Sequence, residues 1–173
     1  MIREYKASYL KKTVVFVCLC VLCLLSILGC GKKDGNASSP EAAEPTTVAT
    51  ILLAQFKEEA AAGSDMEGAV EKLIENPIFH EVAMGTMPVE EGYLNGFSDE
   101  IRGFQKGVMF APFIGTIPFV GYVFESDEPD TLMDTLKDKA MLNWNICTVA
   151  DEMVCEKVGS YVFFVMAPTS FDQ

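Results

Sequence analysis

The sequence predicts an α+β domain: an antiparallel sheet of about four or five strands with helices packed on one face, preceded by a signal peptide and a disordered tether. Three observations carry this reading. The first 47 residues pass from basic to apolar to small and polar, and so stand apart from the rest. Two stretches with apolar residues at helical spacing come next. Beyond them, apolar runs of strand length, broken by Gly and Pro, flank one further helical stretch.

Composition sets the outer bounds. The chain has 173 residues, of which 50% are hydrophobic and 22% charged, with ordinary Gly and Pro contents. This excludes a collagen, a coiled coil and a fully disordered chain. With 13 Lys and Arg against 25 Asp and Glu, the net charge is −12. That balance argues against nucleic-acid binding, which needs a basic face to meet phosphates.

The N-terminus reads as an address. Arg3, Lys6, Lys11 and Lys12 precede an uncharged run over 13–28, too short to span a bilayer as a helix. A basic start, a short apolar stretch and small residues behind it predict a secretory signal over 1–29. Ile27-Leu28-Gly29-Cys30 resembles the bacterial lipobox, with an aliphatic residue at −3, a small one at −1 and Cys at +1. That resemblance implies a diacylglyceryl group on the Cys30 thiol and cleavage between Gly29 and Cys30. Leu28 at −2 departs from the usual Ala or Ser, and an uncleaved anchor or plain secretion are the alternatives. Two acyl chains anchor a protein stably where one does not. Removing the signal takes four bases and one acid, leaving nine against 24, a net charge of −15. An anionic membrane repels such a chain, so a basic patch is not what would hold it.

Residues 30–47 hold the expected lipidated Cys and a tether. Residues 31–47 lack aromatic and large aliphatic side chains and cannot offset their ordering entropy. The folded part is a single α+β domain over 48–173. A first helix is expected over 48–62, ended by Gly63. Ser64 and Glu67 match a capping box for a second helix, which carries Val70, Leu73 and Ile74 inward and stops at Asn76-Pro77. A strand is expected over 79–88, then a glycine-rich connection over 89–105 with room for one helical turn. Pro112, Gly115 and Pro118 break an uncharged stretch over 107–124 into a buried hairpin; a second membrane span is the alternative there. Ser126, Asp127, Glu128 and Pro129 start a third helix, with Leu132, Met133, Leu136, Ala140 and Met141 as its stripe. A last hairpin turns at Gly159-Ser160, and the run over 161–166 is too apolar for an edge strand.

Chemistry-bearing residues are sparse. His80 is the only histidine, and any Ser-His-Asp or Cys-His site would have to use it; its place at a strand start suits a surface residue. One histidine, with only Cys147 and Cys155 beyond Cys30, argues against zinc. Cys147 and Cys155 are a candidate disulfide, though eight residues apart with intervening loop is weak geometry, and two buried free thiols are the alternative. Acidic clusters at Glu90-Glu91, Asp99-Glu100, Asp127-Glu128-Asp130 and Asp151-Glu152 do not match the EF-hand loop, and a calcium site from distant pieces stays open. Met84 and Met87 have a spacing seen in copper-binding loops, but eight methionines after the signal suit core filling. Neither P-loop, dinucleotide fingerprint nor nucleophile elbow is present. No metal and no cofactor is implied. Tyr93, Leu94 and Phe97 in the glycine-rich connection are candidates for a contact surface, or else they pack on the core.

Several stretches carry a family resemblance: Gly115-Thr116-Ile117-Pro118-Phe119 with Gly121-Tyr122, Asn143-Trp144-Asn145-Ile146-Cys147, Ala150-Asp151-Glu152-Met153, and Val158-Gly159-Ser160-Tyr161-Val162-Phe163-Phe164. With the lipobox, they make the chain similar to a family of lipoproteins from Gram-positive anaerobes such as gut clostridia, which carry a single extracytoplasmic domain of unknown function. The resemblance implies membrane anchoring and an α+β domain, and it supplies no catalytic residues. The expectation is a non-enzymatic lipoprotein on the outer face of the cell membrane. It would be held by covalent lipid and would act on an unknown protein or small molecule as a binding or assembly module. The alternative is an extracytoplasmic hydrolase or ligand-modifying enzyme built on scattered carboxylates.

Overall fold

A computed structural model describes residues 44–80 and 82–171. The signal, Gly29, Cys30 and most of the tether lie outside the described residues.

Helix α1 (Val48–Ala61) starts at Thr47, which makes a reciprocal box with Thr50: each threonine hydroxyl accepts from the other's backbone N–H. Two of the helix's unpaired amides are satisfied this way. Two more bonds tie the first turn to the sheet. The Val48 N–H donates to the Thr169 carbonyl at 3.2 Å, and the Ala49 N–H donates to Glu152 Oε1 at 3.1 Å. A carboxylate at a helix N-terminus also complements the dipole. Val48, Leu52 and Phe56 recur every fourth residue, and all three are buried.

Helix α2 (Met66–Ile74) follows, with Val70 and Leu73 buried as expected. Its cap is Asp65, which accepts from the Gly68 N–H at 2.8 Å, and not Ser64. The Ser64 hydroxyl turns back to α1 and donates to Glu59 at 2.7 Å. Glu59 also receives Lys72, and hydrogen bonds from Lys72 and then Ser64 hold its carboxyl below the usual range. The carboxylate of Asp65 is the better acceptor for an amide at a dipole's positive end, so the helix starts one residue later than the sequence signature suggests. Asn76 caps a 3-10 turn (Pro77–Phe79) that buries Phe79. This turn delays the strand expected at Phe79 until Met84.

The strands are β1 (Met84–Val89), β2 (Gly92–Tyr93), β3 (Glu100–Ile101), β4 (Lys106–Pro112), β5 (Val120–Glu125), β6 (Glu152–Val158) and β7 (Tyr161–Ala167), with helix α3 (Pro129–Lys139) between β5 and β6. The connection expected to hold a helical turn instead forms the small hairpin β2-β3. The main sheet has the order β1-β4-β5-β7-β6, with every neighbouring pair antiparallel. The α+β class and the five-stranded antiparallel sheet are therefore as expected. The stretch over 107–124 is the β4-β5 hairpin, and no helix among the described residues is long and apolar enough to cross a membrane. Pro88 lies on the edge strand β1, where a missing amide costs no ladder bond to a second neighbour.

One detail of the expected packing is corrected. The helices do not share a face. Helices α1 and α2 cover the side presented by Val108, Phe110, Val123, Phe163 and Val165. Leu132 and Leu136 of α3 cover the other side with Phe97, Ile101 and Phe104, against Tyr122, Phe124, Phe164 and Met166. The reason lies in β5 and β7. Successive residues of a strand point to opposite faces, and both strands are apolar at both parities, so each face needs its own cover. Phe56 stacks on Phe163 at 5.4 Å on the first side; Phe97 meets Phe164 at 4.9 Å on the second. Gly121 sits opposite Phe110, and a methyl there would lie 2.2 Å from that ring, so only glycine lets Phe110 lie across β5. Helix α3 enters through Ser126, a buried hydroxyl that accepts from the Glu128 N–H and donates to the Gly103 carbonyl at 2.7 Å.

The registers give the sheet two distinct ends. Met84 pairs with Pro112, Val120 with Met166, and Glu152 with Ala167, so one end gathers the entry to β1, the β4-β5 loop, the entry to β6 and the exit from β7. The start of α1 joins the same end through Thr169 and Glu152. The opposite end holds Lys106, paired across from Glu125, and the β6-β7 turn, closed by Gly159 at φ 65°.

Phe163 and Phe164 are both fully buried, on opposite faces. Phe163→Ala and Phe164→Ala should each cost about 3–5 kcal/mol, a large share of the ~5–15 kcal/mol that holds such a domain. Chemical denaturation of the two variants checks this. A mild effect from either would mean that its face is not packed as described.

Candidate functional site

The end of the sheet that gathers the α1 start also carries a cleft of about 410 Å³. Its walls are Thr116, Ile117 and Pro118 of the β4-β5 loop, Thr148, Val149 and Asp151 ahead of β6, and Pro168, Ser170 and Phe171 after β7. Val82, ahead of β1, completes it. Phe171 is held from behind by Phe79 and Phe119, with ring centres 5.5 and 6.0 Å away.

The two loops are fastened to each other. Asn145 Nδ2 donates to the Gly115 carbonyl at 2.7 Å, and Thr148 Oγ1 donates to the Thr116 carbonyl at 2.8 Å. The Ala150 N–H closes the second loop on the Leu142 carbonyl. Side-chain bonds to backbone carbonyls satisfy groups that no ladder reaches. With the backbones held, Ile117 and Trp144 pack on the two cores while other apolar side chains of these loops are exposed. Ile146 is 99% exposed and Phe113 is 76% exposed, with Ile114 and Val149 beside them in sequence and also exposed. The Phe113 ring rests above Gly85 of β1, where a methyl would lie 2.6 Å from it. Isolated exposed apolar side chains are ordinary, but four of them on two fastened loops that wall a cleft make a candidate contact surface.

Sequence reasoning missed this site. It named Tyr93, Leu94 and Phe97 instead. Tyr93 is 77% exposed, but Leu94 is half-buried and Phe97 is only 6% exposed, packed into the second core. The β2-β3 excursion folds back over the sheet, where Phe97 bridges Ala140 and Ser98 bonds the Lys139 carbonyl. These three residues form no surface together. The signal for the true rim was present as two charge-free stretches, 107–124 and 140–150, each interrupted by loop-forming residues.

Cys147 and Cys155 are free thiols, and the candidate disulfide is not formed. Nor are both buried. Cys147 is exposed in the loop ahead of β6, while Cys155 is half-buried on the α3 face of β6, its thiol 3.8 Å from the Met133 carbonyl. Burial pushes the Cys155 thiol up to about 12, so it stays protonated in neutral solution. Burial also raises the Tyr122 phenol, whose hydroxyl donates to the Asn95 carbonyl at 2.8 Å.

The acidic clusters resolve into structural pairs. Asp99 accepts from the Glu100 N–H and from Lys139, which together lower its pKa. Arg102 is shared by Glu100 and Glu91, and Asp130 meets Lys157. Asp127 takes Gln105, and Asp151 accepts from the Thr169 N–H at 3.0 Å. Among the described residues no group of three or more His, Cys, Asp or Glu side chains is arranged to hold a metal ion. His80 is exposed at the end of the 3-10 turn, at φ 46°. Neither protein-family models, curated proteins nor solved structures give a match to this chain.

Two measurements follow from these environments. At neutral pH, a maleimide should modify Cys147 in the folded protein and reach Cys155 only after denaturation, as peptide mass spectrometry would show. Equal labelling of both would contradict the burial of Cys155. In alkaline solution, the folded chain keeps the Cys155 and Tyr122 protons that the unfolded chain releases. Their contribution is full below the ordinary thiol and phenol ranges and is lost as pH rises through the folded values. Denaturation midpoints should therefore fall from neutral to strongly alkaline pH, and Tyr122→Phe should flatten part of that fall.

Proposed function

We propose that this chain is a membrane-anchored extracytoplasmic lipoprotein, lipidated at Cys30, whose domain is a binding or assembly module working through the cleft end of its sheet. The anchor rests on Ile27-Leu28-Gly29-Cys30 behind a basic, then apolar, N-terminus. The binding role rests on one observation: Val149 lines a cleft, and Phe113, Ile114 and Ile146 stand exposed on the two loops that wall it, which Asn145 and Thr148 fasten together. Holding apolar side chains in water on fastened loops lowers the ordering cost of a contact made there. The clustered carboxylates support this reading over carboxylate chemistry, because most take amides or cations within the domain. The likeness to lipoproteins of Gram-positive anaerobes points the same way.

Cys30→Ser should abolish metabolic fatty-acid labelling and leave the precursor uncleaved; undiminished labelling would remove the lipoprotein reading. In intact membranes, a photoreactive side chain at position 146 should give adducts that the same group at position 160, at the opposite end, does not. Indistinguishable adduct patterns would remove the cleft end as the contact surface.

A further inference from the structure

We infer that the apolar rim formed by Phe113, Ile114, Ile146 and Val149 docks on the lipid bilayer itself, laying the cleft end of the domain against the membrane that carries the Cys30 anchor. This inference rests on the anchored reading above and names what the rim touches.

Three observations converge. The first is where the chain enters the domain. Residues 31–47 lead into α1, and the first turn of α1 is bonded to Thr169 and Glu152 at the same end of the sheet as the rim. An anchor at Cys30 thus draws the domain down by the end that carries the apolar side chains. The tether does not force contact. Its 17 residues reach as far as ~60 Å when fully extended. Something else must hold the rim to the surface, and exposed Phe and Ile side chains do so at a bilayer interface.

The second observation is the distribution of charge. The chain beyond the signal carries −15, which an anionic surface repels. Yet 107–124, 140–150 and 167–171, which supply the rim and most of the cleft wall, contain no charged residue. Of the nearby acids, Glu152 accepts from the Ala49 amide, and Asp151, exposed on the cleft wall, accepts from the Thr169 amide. The ionic pairs gather elsewhere: Lys106 with Glu125, and Arg102 with Glu91 and Glu100. The two loops that carry the rim are therefore where approach to lipid headgroups is least opposed.

The third is shape. Ile146 is almost wholly exposed and lies outside the cleft walls, and its loop is fastened to the β4-β5 loop through Asn145 and Thr148. The Gly115 and Thr116 carbonyls are thus already paired when the side chains beside them meet an interface.

Trp144 is the only tryptophan, so the test can read a single reporter. The full chain, purified with its lipid, carries Trp144→Phe together with either Ile146→Trp or Ser160→Trp. Each variant is reconstituted into phosphatidylcholine vesicles with and without brominated acyl chains. Tryptophan at position 146 should shift to the blue and lose intensity on brominated lipid, while tryptophan at position 160 should do neither. Adding Ile114→Ser, at an exposed position, should weaken the quenching at 146 without changing the denaturation midpoint. Position 146 unquenched on floated vesicles overturns the docking and leaves the anchor standing. A blue shift without bromine quenching overturns it in favour of a protein partner or a second copy. Failure of the wild-type chain to float, with no fatty acid on Cys30, overturns the anchor and the docking together.

Discussion

The architecture depends on β7, a strand that has no water-facing side. From Val162 to Ala167 every residue is buried, with Phe163, Val165 and Ala167 in one core and Val162, Phe164 and Met166 in the other. A seven-residue strand apolar at both parities cannot be served by one layer of helices. Helices α1 and α2 supply one cover. The other is assembled from α3, the β2-β3 excursion and the loop into β6, fragments too short to stand without the sheet. That is why Phe97, Phe104, Trp144 and Ala150, scattered along the sequence, converge on one face.

Doubly covered faces leave the domain only its ends and edges for contact with anything else. The two ends differ in kind. At one, paired charges from β3, β4 and β5 surround the turns. At the other, the loops are neutral, their backbone groups are satisfied by Asn145 and Thr148, and the apolar side chains project. An acidic chain thus keeps most of its ionic groups away from one pole. The same loops that close the second core also shape the cleft, so stability and surface chemistry are coupled there through Trp144 and Ala150, which face inward, and Ile146 and Val149, which face out.

Much of this was legible in the sequence, because periodicity reports burial. The stripe read as Ile51, Leu52, Gln55 and Phe56, of which Leu52 and Phe56 are buried, the hairpin turn at Gly159-Ser160 and the two-parity run through Phe163 and Phe164 placed α1, β6 and β7 correctly. Where local chemistry decides between near-equal options, the reading slipped: Asp65 outcompetes Ser64 for the α2 cap, and the 3-10 turn at Pro77 takes Phe79 away from β1. The contact surface was not legible. An exposed Ile146 and a buried Phe97 are both apolar residues in loops. Only the return of the β2-β3 excursion over the sheet, a long-range event, separates them. The two cysteines show the same limit, since their separation in sequence says nothing of one lying in a loop and the other on β6.

The first turn of α1 is where the preceding chain meets the fold, through the Val48 and Ala49 amides. Any mechanical load arriving along that chain is received there, by a helix lying across the sheet and not by a strand within it. Such a load falls on the Val48–Thr169 and Ala49–Glu152 bonds and the Thr47 cap before it reaches the β-ladders. Under tension the domain would therefore uncover the Phe56–Phe163 face before the Phe97–Phe164 face, giving it a weak side and a strong side set by the point at which it is held.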